Sequence, residues 1–222
     1  SCRVVKFDRA NIVMTIRKGD QWGEPCTAPT GLLEFATERE LGRHLRDIGT
    51  IREAMLNSGT LIQALGVTTR APNREQIKVT IDVIKIGFTD HYGVNRDDFA
   101  VGSVFLGRRS WLGDLYIVSN SGYLGARELL PKAHPNDGVM DVLAVKSSMP
   151  YTQRLQAWRR IPTSSHIPHP DISTKQTEGF SWPADEDDVP KKSIRLVVDG
   201  EALGPVKSVR MHVIPDAITL YI

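Results

Sequence analysis

An α+β fold is predicted for this chain of 222 residues: a small N-terminal α/β portion to about Gly66, then an antiparallel β-sandwich. Three observations carry that prediction. Strand-like runs recur from Lys78 to Ile222 between Gly and Asp turns, as in a sandwich. Helical patterning is confined to the stretch before Gly66 and to Tyr151–Ile161, where Leu155 and Trp158 share a face. A doubly wound sheet needs repeated βαβ units, and only the first third has room for any. The division expected is therefore 1–66 and 67–222.

Taken in order, Arg3–Phe7 and Ile12–Arg17 read as two strands around an Asp8–Asn11 turn, from their β-branched content. Lys18-Gly19-Asp20 breaks the second, and Pro25 to Gly31 reads as loop. Thr37 with Glu40 three residues on forms a capping box for a helix that runs to Asp47 and stops at Ile48-Gly49. Ile51–Leu56 and Thr60–Leu65 read as two further short helices around Asn57-Ser58-Gly59. From Lys78 the period becomes two, and its phase slips by one residue at Ile84, which fits a bulge. Strands are expected over Phe99–Leu106, Leu115–Asn120, Met140–Val145, Ser193–Asp199, Ser208–Ile214 and Ile218–Ile222. Trp182 to Lys192, acidic and bracketed by prolines, reads as an exposed loop.

Composition narrows the function classes. Apolar residues make up 41% and charged residues 24%, as in an ordinary globular protein. No apolar run approaches the roughly 20 residues that span a bilayer, and no secretory leader is visible. A formal charge of +2 gives no field that calls for nucleic acid. Two cysteines, Cys2 and Cys26, are too few for a disulfide scaffold. A cytoplasmic location is expected, with at most peripheral contact at the inner face of the membrane.

Five stretches, in order and with kept spacing, carry a family resemblance: Ala64-Leu65-Gly66 followed by Ile81-Asp82-Val83; Leu115–Asn120 with Gly122; Pro131–Val142 around Asn136-Asp137-Gly138; Val198-Asp199-Gly200-Glu201; and Pro215-Asp216-Ala217. Together they resemble the C-terminal β-sandwich of the lipid kinases related to diacylglycerol kinases and, more distantly, to NAD kinases. The resemblance covers about the last two thirds of the chain. It implies a sandwich of that type behind a short, divergent remnant of the nucleotide domain. It also implies ATP-dependent phosphoryl transfer to a lipid hydroxyl, with ATP and Mg²⁺ as cofactors and a lipid or other small molecule as substrate. A homodimer is left open.

The same resemblance suggests site residues. Glu201 would be the general base, next to Asp199. The bland alternative is a solvated Asp-Gly turn. Ser58, Gly59 and Thr60 stand where the family holds nucleotide phosphates, but Thr60 replaces an aspartate, and the family's glycine-rich loop has no counterpart. Asp137 and Asp141 fit Mg²⁺ as oxygen ligands, or else form a turn and a solvated strand position. The missing loop supports a second function class: a catalytically inactive homologue serving as a lipid-binding or protein-interaction module. His166 and His169 lack a third ligand and read as loop, and Arg159-Arg160 as a helix end. Arg108, Arg109 and Trp111 read as a solvated turn, with a membrane interface as the rarer alternative.

Overall fold

The computed structural model describes residues 23–66, 76–108, 112–163, 167–183 and 193–222. The two strands expected over Arg3–Phe7 and Ile12–Arg17, with Cys2, Arg109, Trp111, His166 and the acidic segment after Pro183, lie outside them, as does the boundary expected just after Gly66.

Two long antiparallel strands form the spine: β4 (Gln76–Asp90) and β14 (Glu201–Tyr221). Before them come β1 (Glu24–Cys26), β2 (Glu34–Phe35), helix α1 (Glu38–Ile48), β3 (Glu53–Leu56) and helix α2 (Thr60–Ala64). Between them come β5 (Asn95–Ala100), β6 (Ser103–Gly107), β7 (Leu115–Ser119), the small hairpin β8 (Tyr123–Leu124) with β9 (Arg127–Glu128), β10 (Met140–Val145), helix α3 (Tyr151–Arg160), β11 (Ile172–Thr177), β12 (Gly179–Trp182) and β13 (Ile194–Val198). The main path of the sheet runs β1-β4-β14-β13-β6-β7-β10-β11, with β12 and β3 also pairing β14, β5 pairing β4 and β2 pairing β3. The fold is mostly β with few helices.

The Thr37 half of the α1 capping box forms as the sequence predicts, while the Glu40 carboxylate reaches one residue further back than the N-cap amide. Glu40 N donates to Thr37 Oγ1 at 3.2 Å, and Ala36 N donates to Glu40 Oε2 at 2.8 Å. Gly49, at φ 98°, ends the helix. Its buried face, Glu38, Leu41, Gly42 and Leu45, lies toward β5. A Cβ at Gly42 would stand 2.6 Å from the Phe99 carbonyl oxygen, so glycine is what allows helix and strand to approach this closely.

The phase slip at Ile84 marks a change of buried face on β4, with Val79, Ile81 and Val83 in the core beneath α1 and Ile84, Ile86 and Phe88 in the central core, and the facing strand bulges beside it. Ile214 faces Val83 and Ile218 faces Ile81, so Pro215-Asp216-Ala217 stand opposite Asp82 alone. The buried Asp82 carboxylate accepts from Asp216 N at 2.8 Å and from Gly138 N at 2.7 Å, which pins both the bulge and the Asp137 turn to β4.

Three expectations need correction. Ile51–Leu56 is not helical: Glu53–Leu56 forms β3, parallel to both β2 and β14. Its residues are good helix formers, but pairing with a strand about 165 positions away decides the matter (Glu53 with Thr219). Phe99–Leu106 is two strands broken at Val101-Gly102. Ser208–Ile214 and Ile218–Ile222 are parts of one strand that begins at Glu201. Strands β11 and β12 carry little apolar alternation and leave most residues exposed or half-exposed, so period-two reasoning passes them over.

Three cores follow. The central one lies among β4, β6, β13 and β14, around Ile84, Ile86, Leu106 and Leu196. A second lies beneath α1, around Leu41, Leu56, Leu61 and Ile81. The third lies beneath α3, around Leu115, Ile117, Leu143 and Ile161.

Candidate functional site

The residues expected to hold phosphate meet a carboxylate of the chain itself. Glu38, in the first turn of α1, is 6% exposed. Its carboxylate accepts from Thr60 Oγ1 at 3.0 and 3.1 Å and from Leu61 N at 2.7 Å. Ser121 Oγ donates in turn to Thr60 Oγ1 at 2.8 Å. Two glycines leave room for that carboxylate. A Cβ at Gly59 would stand 2.5 Å from its Cδ and Oε1, and a Cβ at Gly102 would stand 2.5 Å from its Oε2. Ser58 Oγ donates to the Ala36 carbonyl. Ser58, Gly59 and Thr60 are thus gathered at one place, and the chain itself occupies it.

The expected acceptor side is closed by the next residue of the same helix. Arg39, 7% exposed, sets its fork on the buried Asp98 of β5, with Nη1 to Oδ1 at 2.9 Å and Nη2 to Oδ2 at 2.8 Å. Its Nε donates to Glu201 Oε2. Arg43, one turn on, reaches the same carboxylate, with Nε to Oε2 at 3.0 Å and Nη2 to Oε1 at 2.7 Å. Hydrogen bonds from Arg43 and then Arg39 pull Glu201 down to about 2. A carboxylate so held is a poor base near neutral pH, so in this arrangement Glu201 is an ion-pair partner.

Asp199 faces inward. At φ 45° its carboxylate accepts from Val101 N at 2.9 Å, Gly102 N at 2.9 Å and Ser103 N at 2.8 Å. These amides lie where β5 breaks from β6. In this arrangement Asp199 serves the fold by holding the turn between β5 and β6. Burial raises its carboxyl, and the three amides oppose that rise. Burial first, and then the Asp199 charge, push Glu38 up to about 7 against the hydrogen bonds from Leu61 and Thr60 that favour its ionised form.

Asp137 and Asp141 lie elsewhere, beyond β4. Burial pushes each carboxyl up to about 6, with the Asp82 charge adding to the rise at Asp137 and the Asp137 charge adding to it at Asp141. Asp141 is 4% exposed and has one long hydrogen bond, from Gln176 Nε2 at 3.4 Å. Two desolvated carboxylates, one raised by the charge of the other, could take a hard divalent cation. Mg²⁺ is commonly held by one or two carboxylates with water completing its shell. No cluster of three or more His, Cys, Asp or Glu suited to a metal occurs among the described residues. His169 Nδ1 accepts from Asp171 N at 3.1 Å within a turn.

A narrow apolar slot opens beneath α3, walled by Phe105, Leu115, Leu143, Met149, Trp158 and Ile172, among others. Its free space is about 60 Å³, about two water molecules at roughly 30 Å³ each. Any acyl chain entering it would have to displace α3 or its side chains. Trp158 is braced by Arg127, whose Cζ lies 4.6 Å over the ring.

Sequence reasoning missed Glu38, Arg39, Arg43, Asp98 and Ser121. The available signal was positional. Glu38 and Arg39 begin the i, i+3, i+7 face that continues through Leu41 or Gly42 and Leu45, so charged residues were entering a buried stripe.

Comparison with known proteins places the sandwich. Residues 90–222 match the family described as "YegS C-terminal NAD kinase beta sandwich-like domain". No curated protein matches the chain. Among solved structures, one titled a "putative diacylglycerol kinase from Bacillus anthracis str. Sterne" is 20% identical, with a TM-score of 0.31. The match covers 64% of this chain and 40% of that one.

Proposed function

The chain belongs to the family of the YegS C-terminal NAD kinase beta sandwich-like domain, and on that premise we propose that it is a lipid-kinase-like protein that is catalytically silent and retains the sandwich as an acyl-lipid-binding module. One observation carries the proposal: a single helix occupies both halves of the would-be site. Glu38 fills the space beside Gly59 and Thr60, where a phosphate oxygen would need the same hydroxyl and amide. Arg39 and Arg43 hold the carboxylate that would serve as base. Phosphoryl transfer depends on a phosphate cradle, charge neutralisation and a poised acceptor, and α1 stands in the way of two of these. Lipid binding is supported by the slot beneath α3, whose lining is apolar except for Arg154.

The second reading is an active kinase using ATP and Mg²⁺, with Glu201 as base. What favours it is that displacement of one helix would release Thr60 and Glu201 together. An assay with labelled ATP, Mg²⁺ and diacylglycerol in mixed micelles separates the two. The silent reading predicts no labelled lipid above the blank, and a diacylglycerol-dependent shift in the emission of Trp158, compared against Trp158→Phe. Labelled lipid formed by the wild type and lost in Glu201→Gln would overturn it in favour of the kinase.

A site for Mg²⁺ at Asp137 and Asp141 belongs to the same proposal, and pH dependence tests it. The pKa values of Glu38, Asp137 and Asp141 are raised by folding, so the folded state binds protons more tightly. Their contribution is fully present below their ordinary values near 4 and is lost as pH rises through about 6 to 7. His134, pushed down by burial, acts in the opposite sense below about 6.5. Three acids outweigh one histidine. The melting temperature should fall from pH 5 to pH 8 by several degrees, on the order of 1–3 kcal/mol at about 2–4 °C per kcal/mol. Millimolar Mg²⁺ at pH 8 should restore part of it, and should do nothing for the Asp137→Asn/Asp141→Asn variant. A melting temperature that rises over this range would contradict the assignment of these groups.

A further inference from the structure

We propose that the outer face of the sheet formed by β5, β4, β14 and β12 carries a binding site for a neutral sugar ring. The strands are hydrogen-bonded in that order, and their registers fix which side chains share a face. Asp97, Gly87, Arg210 and Ser181 stand side by side in one row. Two residues along, Asn95, Thr89 and Ser208 form a second row on the same face. The row between them, with Phe88 and Val209, turns its side chains into the central core. The groove over these rows has about 400 Å³ of free space, the size of a small-molecule site.

A glycine that the fold does not require lies on the floor of the groove. Gly87 is ordinary strand, inside β4. A Cβ there would meet Asp97 Oδ1 at an unstrained 3.5 Å, so no neighbour excludes a side chain. A glycine inside a strand costs stability and often marks a place where a ligand comes close to the backbone. Beside it, β14 bulges at Lys207, between the Val206–Asp90 and Ser208–Thr89 pairs, which coils the sheet around the groove. Hydrogen bonds fix one wall: Ser208 Oγ donates to Thr89 Oγ1 at 3.0 Å, and Thr89 Oγ1 donates to Asn95 Oδ1 at 2.8 Å. On the other wall Asp97 leans over Gly87, and no donor among the described residues meets its carboxylate.

The order of donors and acceptors decides the occupant. With its proton given to Thr89, Ser208 Oγ offers lone pairs to the groove, while Asn95 Nδ2 offers protons. Asp97 offers lone pairs alone, and Arg210 protons alone. An anion would meet the Asp97 carboxylate, and a cation would meet the Arg210 guanidinium. An apolar group would leave both charges without a polar partner in the ligand. A ring hydroxyl donates and accepts at once, so neighbouring hydroxyls of a sugar satisfy this alternation. Arg96, at the rim, gives its Nε to Asp90 Oδ2 at 3.0 Å. The groove shares no residue with the slot beneath α3 or with the contacts of α1 to Thr60 and Glu201. It therefore stands whether or not the proposed function does.

The test is a titration of the isotope-labelled full chain, followed by its amide NMR signals, with D-glucose, D-galactose, D-mannose and N-acetyl-D-glucosamine. At least one sugar should shift the amides of Gly87, Thr89, Asn95 and Ser208 saturably, with a millimolar or lower dissociation constant, and leave those of Leu61 and Glu201 in place. Gly87→Val fills the hollow with a residue that strands favour. It should keep a melting temperature at or above wild type and lose affinity about tenfold or more. Asp97→Ala should lose about as much. Failure of every one of these sugars to give a saturable shift would overturn the proposal, as would a sugar held equally well by Gly87→Val. Sodium phosphate and ethylammonium chloride are the charged controls. Either one shifting the same amides more strongly than all of the sugars would reassign the groove to an ion and overturn the sugar site.

Discussion

Asp199→Ala is expected to destabilise the protein by on the order of 3–5 kcal/mol, read as a fall in the urea midpoint at unchanged slope. The loss is large because one side chain serves three amides. Val101, Gly102 and Ser103 lie where β5 ends and β6 begins, and their N–H groups point at the Asp199 carboxylate. The break cannot close into a continuous strand, because β5 pairs with β4 while β6 pairs with β13 and β7. An unmet buried amide costs about 1–3 kcal/mol, and water reaching the half-buried turn lowers the sum. Asp199→Asn should lose distinctly less. It keeps an acceptor for Gly102 and Ser103, which share Oδ1, and asparagine tolerates the positive φ of 45°. An alanine variant within about 1 kcal/mol of wild type would show that these amides find other partners.

Arg39→Ala is the second large effect, also on the order of 3–5 kcal/mol. Removing the guanidinium strands Asp98, which is 1% exposed and accepts both arms of the fork. Arg46 compensates only in part, since its Nη1 pairs with Asp98 Oδ2 at the long distance of 3.6 Å and its Nε is engaged by Asp47 at 2.7 Å. Arg43→Ala provides the contrast. Its side chain is 48% exposed, so the loss should stay within about 1 kcal/mol. Arg39→Met/Asp98→Leu should recover most of the stability, because an apolar pair replaces a buried ion pair at little net cost. In Arg39→Ala the Glu201 carboxyl should also rise from about 2 toward its ordinary value, readable by NMR titration. A Glu201 that stays near 2 would mean that Arg43 alone holds it.

These two residues show what the sequence could and could not convey. Local chemistry was legible: Thr37 and Glu40 announced the start of α1, and the slipped period at Ile84 marked where β4 changes its buried face, beside a bulge that lies on β14. The strand series and the Asp199-Gly200-Glu201 turn were readable for the same reason, since turn residues act within a few positions. Long-range partners were not. Glu38 meets Thr60 across 22 positions and Arg39 meets Glu201 across 162, and a charged residue in the first turn of a helix ordinarily reads as solvated. Glu53–Leu56 failed for a related reason, because its helix-forming residues became a strand by pairing with Thr219–Tyr221. The family resemblance singled out Ser58, Gly59, Thr60 and Glu201. It carried no sign that the helix between those two places would fill both.

That helix is the core of the account, and titration of MgATP into the wild-type chain by isothermal calorimetry at neutral pH tests it most directly. With Glu38 seated on Thr60 and Leu61, and Glu201 held by Arg39 and Arg43, the expected result is no binding heat with millimolar nucleotide in a sample shown to be folded. Saturable one-to-one binding in the micromolar range would contradict it, because nucleotide would then be displacing α1 or entering by a route that α1 does not close.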